Sequence, residues 1–251
     1  MKTGIAALAA ASTLALSLTA LTAAAAAAAD ESKETYVYAS YFRCSPGNSI
    51  GEAIEKFKGA YDGAVKDGTI GSWAWMTHRT GGDWSGIFFH TAPSLTALYA
   101  ASDELDKRTS GKDWDKANKQ FSQACGSHED YIWRSVVGNV GTTRGDAGFS
   151  VYYVCDSSRE AQADALMKRV FAPAYDKMVA DGKITSWGWL EHIIGGKYRR
   201  LATFTATDNA ALLEARAAIG QSLQDDPLAQ AFSGICGSHS DYIWNVVSKG
   251  P

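Results

Sequence analysis

The chain has 251 residues, 46% of them apolar and eight of them tryptophan, enough apolar side chain for one shared core or two small ones. Its 24 basic and 27 acidic side chains form no basic cluster. This composition excludes nucleic acid as a partner and disfavours a polybasic membrane-binding patch.

The N-terminus sets the compartment. Met1-Lys2-Thr3 precedes an apolar stretch from Ile5 to Leu21 and an alanine run ending at Ala29, the pattern of a secretory signal peptide over residues 1–29. Ser12, Thr13, Ser17 and Thr19 interrupt the apolar core, whereas a spanning helix wants about 20 apolar residues, so cleavage is expected over anchoring. The protein is therefore predicted to be exported, periplasmic or secreted, with no membrane association after cleavage. A mature chain starting at Asp30 has 222 residues, 23 basic against 27 acidic.

Internal repetition dominates the mature chain. Cys125-Gly-Ser-His128-Glu-Asp-Tyr-Ile-Trp133 recurs as Cys236-Gly-Ser-His239-Ser-Asp-Tyr-Ile-Trp244. Ile70-Gly-Ser-Trp73-Ala-Trp75-Met-Thr-His78 matches Ile184-Thr-Ser-Trp187-Gly-Trp189-Leu-Glu-His192, each followed by a Gly-Gly pair. Cys44 and Cys155 occupy equivalent places, each 81 residues before its second cysteine. The repeats span 35–137 and 148–249, and the Gly- and Thr-rich stretch 138–147 reads as a short linker. Such a linker predicts a monomer whose repeats pack as an intramolecular pseudo-dimer.

In chain order, Tyr36 to Arg43 has the β-branched and aromatic content of a strand. A helix follows, capped by Asn48 or Ser49, apolar at Ile50, Ala53, Ile54, Phe57, Tyr61, Ala64 and Val65, and stopped by Gly68. Pro173 is expected to kink its counterpart. Trp73 to His78 and Trp84 to His90 form a hairpin about Gly81-Gly82, repeated about Gly195-Gly196. The next helix starts at Ser94, or at Asp208 or Asn209, and is broken at Ser110-Gly111 or at Asp225-Asp226-Pro227. The last strands are read as Tyr131 to Val137 and Tyr242 to Val247.

Strand, helix, strand, strand, helix, strand is the ferredoxin-like βαββαβ order. A fused pair resembles the dimeric α+β barrel superfamily, which includes the antibiotic-biosynthesis monooxygenase-like and NIPSNAP-like proteins. The fold class is thus α+β, two tandem ferredoxin-like units packed as a pseudo-symmetric barrel. The resemblance rests on element order and duplication, and implies a ligand cleft between sheet and helices lined by aromatic, His and Asn side chains. In this topology the first and last strands are antiparallel neighbours, so Cys44 should meet Cys125 and Cys155 should meet Cys236, as suits an exported protein. The sharper alternative is a metal held by Cys44, Cys125 and His128, which an oxidising compartment disfavours.

Four of the five histidines are matched, His78 with His192 and His128 with His239, while His90 is set against Thr205. His78 and His192 are the candidate general bases, since imidazole titrates near neutrality without large perturbation. In the sheet order 4-1-3-2, His78 and His128 would lie roughly 14 Å apart, too far for a dyad. Trp73 and Trp75 share one strand face, as do Trp187 and Trp189. With Tyr41, Tyr131, His128 and their counterparts Tyr152, Tyr242, His239, they are either core or the lining of a cleft for a small apolar or aromatic ligand.

No phosphate-binding loop, G-x-S-x-G elbow or H-E-x-x-H motif occurs. Nothing in the sequence supplies a redox cofactor or a metal. The leading expectation is an exported small-molecule-binding or accessory protein. The alternative is a cofactor-independent monooxygenase, isomerase or cyclase on an aromatic substrate, and the third reading is a structural or protein-interaction role.

Overall fold

The computed structural model describes residues 35–45, 50–140 and 144–250. The signal peptide and the Asn48 or Ser49 cap lie outside them. Eight strands, β1 (Tyr36–Arg43), β2 (Trp73–Gly81), β3 (Gly86–Ala92), β4 (Ser127–Val140), β5 (Ala147–Val154), β6 (Ser186–Ile194), β7 (Arg200–Ala206) and β8 (Ser238–Lys249), close into one antiparallel barrel. The first half contributes the arc β4-β1-β3-β2 and the second the arc β8-β5-β7-β6. The seams are β2 on β8 and β4 on β6, both antiparallel. Closure leaves no sheet edge exposed.

Helices α1 (Gly51–Lys66), α2 (Leu95–Arg108) and α3 (Asp115–Ala124) belong to the first half, and α4 (Glu160–Leu166), α5 (Ala172–Ala180), α6 (Asn209–Leu223) and α7 (Pro227–Ser233) to the second. Ser94 caps α2 by accepting from Ala97 N–H, and Asp208 caps α6 through Ala211 N–H. Gly68 takes φ +77 just past α1, the left-handed stop that its position predicts. The Pro173 kink takes the form of a π-helical turn, Met167–Phe171, where Ala172 N–H reaches back to Met167. Pro173 follows at the start of α5, so its missing N–H falls where the helical ladder is already rearranged.

Both disulfides pair as expected, Cys44 with Cys125 and Cys155 with Cys236, which removes the thiolates a metal would need. Several boundaries shift from the sequence reading. The last strands begin at Ser127 and Ser238, because β1 and β5 stay paired with them down to Arg43 and Val154. His128 and His239 therefore lie within strands. The linker is shorter than 138–147: β4 continues to Val140 along β6, and β5 starts at Ala147. His90 corresponds to Phe204, not Thr205, since Tyr38 pairs with His90 where Phe149 pairs with Phe204.

Trp84 precedes β3 instead of opening it. The hairpin tips bend over one end of the barrel, where Trp84 and its counterpart Tyr198 are buried among Tyr41, Tyr131, Tyr152 and Tyr242. This approach requires glycine: a Cβ on Gly82 would lie 2.3 Å from the Tyr242 hydroxyl, and one on Gly195, at φ +142, 2.5 Å from the Tyr131 ring. Among the described residues no helix is long and apolar enough to cross a membrane.

Candidate functional site

Alternation along each strand gives the barrel two faces with different chemistry. Trp73 and Trp75 point outward beneath α1, α2 and α3, and Trp187 and Trp189 beneath the helices of the second half. Their indole N–H groups donate to carboxylates, Trp73 to Asp62 at 2.9 Å, Trp187 to Asp176 at 2.8 Å and Trp189 to Asp164 at 2.8 Å. Of the two roles these tryptophans could have, core is the one occupied by Trp73, Trp75 and Trp189. Asp164 also takes the guanidinium of Arg200, which is only 3% exposed and reaches Glu160 as well.

Inward-facing residues fill one end of the barrel and leave the other hollow. Tyr41 and Tyr152 meet edge to face at 5.4 Å, Tyr131 and Trp133 stack at 5.1 Å, and Tyr242 and Trp244 at 4.8 Å. Above this plug lies a cavity of about 290 Å³ whose floor is Tyr41, Trp133 and Tyr152 and whose wall Trp187 borders. Burial pushes the Tyr41 and Tyr152 phenols well above their ordinary pKa, so both are neutral donors.

A second cavity of about 250 Å³ opens on the outer face of the second half, between β5, β7, the start of β8, α5 and α6. Phe149, Tyr153, Tyr175 and Phe204 give it aromatic walls, and Arg216, His239 and Asp241 give it a polar edge. Asp241 is the hub: Arg216 Nη2 lies 3.4 Å from its Oδ2, and His239 Nε2 lies 3.3 Å from its Oδ1, within ion-pair reach but outside hydrogen-bond geometry. Arg216 also sits 5.2 Å above the Phe149 ring. Burial raises the Tyr153 phenol and pushes Tyr175 up to about 12.

The first half shows why this cleft is asymmetric. There Ser40 stands opposite Asp130 and donates a 2.6 Å hydrogen bond to its Oδ1. In the second half Val151 occupies the place of Ser40 opposite Asp241, and the buried Asp241 Oδ1 has no hydrogen-bond partner. Tyr38 and His90 stack at 5.6 Å in the first half where Phe149 and Phe204 line the opening in the second. Ser102, donating to Leu98 O and paired with His90 Nε2, stands where Arg216 does.

His78 and His192 lie on the seams and line neither cavity. His78 faces Trp244 across β2 and β8, and His192 faces Trp133 across β6 and β4. Arg199 Nη1 is 2.7 Å from His192 Nδ1, so that nitrogen is the acceptor, and Nε2 is buried without a partner. Burial, then the Arg199 charge, lowers the His192 pKa and keeps the ring neutral. His128 pairs with Asp130 at 3.2 Å on the filled side. Sequence reasoning missed Asp241, Arg216, Tyr153 and Tyr175; the one signal available was the Asp shared by both Cys-Gly-Ser-His segments.

The barrel with helices packed outside it is the fold of the dimeric α+β barrel proteins. No protein-family model and no curated protein sequence matches the chain. Solved structures share the fold. It is similar to a candidate monooxygenase from Lactobacillus acidophilus, with TM-score 0.59 and 8% identity over 86% of this chain and 95% of that one. An anthrone oxidase-like protein gives TM-score 0.52 and 18% identity over 88% and 94%. A variant chlorite dismutase from Candidatus Nitrospira defluvii gives TM-score 0.53 and 8% identity over 85% and 91%.

Proposed function

We propose that the protein is an exported enzyme that takes a hydroxylated aromatic small molecule into the cleft of its second half and uses Asp241, held by His239 and Arg216, to accept the substrate's proton. The observation that carries this reading is the orphaned Asp241 Oδ1 at the edge of an aromatic cleft, where the sequence-related Asp130 is satisfied by Ser40. A buried carboxylate oxygen without a donor costs about 1–3 kcal/mol or more, and a phenolic O–H entering between Phe149, Tyr153 and Phe204 would relieve it. Proton transfer would then leave an aryloxide beside the Arg216 guanidinium, which stabilises the developing charge.

Cofactor-independent oxygenation, cyclisation and isomerisation of an acidic aromatic substrate can each begin with such a deprotonation, and the names of the fold neighbours, monooxygenase and anthrone oxidase-like, support the first. The leader and the two disulfides support export. The duplication supports a single-chain pseudo-dimer of ferredoxin-like units, residues 35–137 and 148–249, with the cleft of the second half open. The binding-only reading keeps the same pocket and drops the turnover.

The test compares 2-naphthol, naphthalene and anthrone. Val151→Ser restores the missing hydroxyl, so it should raise stability and weaken 2-naphthol binding about tenfold, the loss of one hydrogen bond to a charged group. Naphthalene binding should change less than twofold. Equal affinity for 2-naphthol and naphthalene, or no effect of Val151→Ser, refutes the site. Oxygen uptake with anthrone that Asp241→Asn abolishes establishes the enzyme; binding without turnover leaves the accessory-protein reading.

A further inference from the structure

The hollow end of the barrel opens on the other face of β5 and β7 from the cleft, and Phe149 and Phe204 border both. Its walls include Val37, Met76, Phe89 and Leu201, and its floor is Tyr41, Trp133 and Tyr152. From Val37 to Tyr41, at about 3.3 Å per residue, the depth is about 13 Å. At about 290 Å³ it lies at the lower bound of small-molecule pockets, about 300–1,000 Å³, wide enough for one chain and too small for a diacyl lipid.

Among the described residues, one charged side chain guards the mouth. The Arg144 guanidinium donates to Ser72 Oγ at 3.1 Å and lies 5.1 Å from the centre of the Phe89 ring. No carboxylate among the described residues pairs with it, and the nearby Asp146 is taken by Lys249 at 2.7 Å. Burial lowers its pKa, and among the described residues no acid offsets the cost. A half-buried guanidinium with no counter-charge among the described residues favours a ligand that supplies one, and its fork matches a carboxylate.

We propose that the barrel interior is a second binding site, for a single-chain apolar carboxylate whose tail runs down to the Tyr41–Trp133–Tyr152 floor and whose head is held by Arg144. A chain of about ten carbons fills the depth. Ser72 fixes the guanidinium, and Thr91, which bonds Ser72 at 3.0 Å, completes the polar rim.

The test uses the full disulfide-bonded chain, with decanoate and 1-decanol as probes, titrated by calorimetry and by tryptophan fluorescence. Decanoate should bind one per chain and at least tenfold more tightly than 1-decanol. Arg144→Gln should weaken decanoate at least tenfold while leaving 1-decanol within twofold, and Arg144→Lys should recover part of the loss. Thr203→Phe, which fills the wall, should abolish binding of both probes. Should Arg144→Gln fail to fold, Thr203→Phe and the acid–alcohol comparison decide. Val151→Ser at the cleft should leave decanoate binding unchanged, so the two sites fail separately. Equal affinity for acid and alcohol, unaltered binding in Arg144→Gln or Thr203→Phe, or no binding at all overturns the proposal.

Discussion

Acid should destabilise this protein through His90. The ring is 5% exposed on β3, stacked on Tyr38 and set against Ser102 Oγ at 3.1 Å. Ser102 gives its own proton to Leu98 O, so the imidazole is the donor to Ser102 and the neutral Nε2–H tautomer is assigned from this network. Burial pushes the His90 pKa down to about 4 from 6.5. A base whose folded pKa lies below its unfolded value binds fewer protons when folded. Its neutral-state stability is fully present above pH 6.5 and is lost as pH falls from there towards 4. At pH 4.5 the two values give a loss of about 2.5 kcal/mol relative to pH 7.5. For a chain of this size that is about 5–10 °C in Tm.

Carboxylates with lowered pKa, such as Glu160 beside Arg199 and Arg200, lose stability in the same direction at lower pH, so a difference measurement is needed. His90→Gln keeps a donor for Ser102 and removes the titration. Calorimetric melts of both proteins at pH 7.5 and 4.5 should show the wild type losing about 2.5 kcal/mol more than the variant. Equal losses would show that the buried ring is not the acid-sensitive group.

Other outcomes rest on the packing. Each disulfide closes a separation of 81 residues, worth about 4.5 kcal/mol in the chain-entropy model, so reduction should lower the urea midpoint strongly and Cys44→Ser with Cys125→Ser about half as much. Residues 35–140 expressed alone leave β2 and β4 without β8 and β6, and should dimerise or aggregate; a stable soluble monomer by light scattering would contradict the closed barrel. Gly195→Ala places a Cβ against the Tyr131 ring at an unfavourable φ, and should cost about 1–3 kcal/mol by chemical denaturation.

Local signals were enough for much of the fold. β1 falls on Tyr36–Arg43 as its residues predict, the helix breaks at Ser110-Gly111 and Asp225-Asp226-Pro227 separate α2 from α3 and α6 from α7, and Ser94 and Asp208 cap where short polar side chains precede apolar periodicity. The duplicated order also fixed the cysteine pairing, because neighbouring antiparallel strands bring one strand's end to the other's start. What depends on non-local contact was not legible. The β2–β8 and β4–β6 seams place His78 and His192 against tryptophans of the other half, away from both cavities. Period-two alternation says that Trp73 and Trp75 share a face, but not whether that face meets helices or the barrel interior. The sites themselves arise from one mismatch between related halves, Val151 for Ser40, which orphans Asp241, and from Arg144 of the linker, which reaches a barrel mouth that exists only once eight strands have closed. A sequence specifies each side chain's chemistry, and only the packed chain decides which polar atoms are left without a partner.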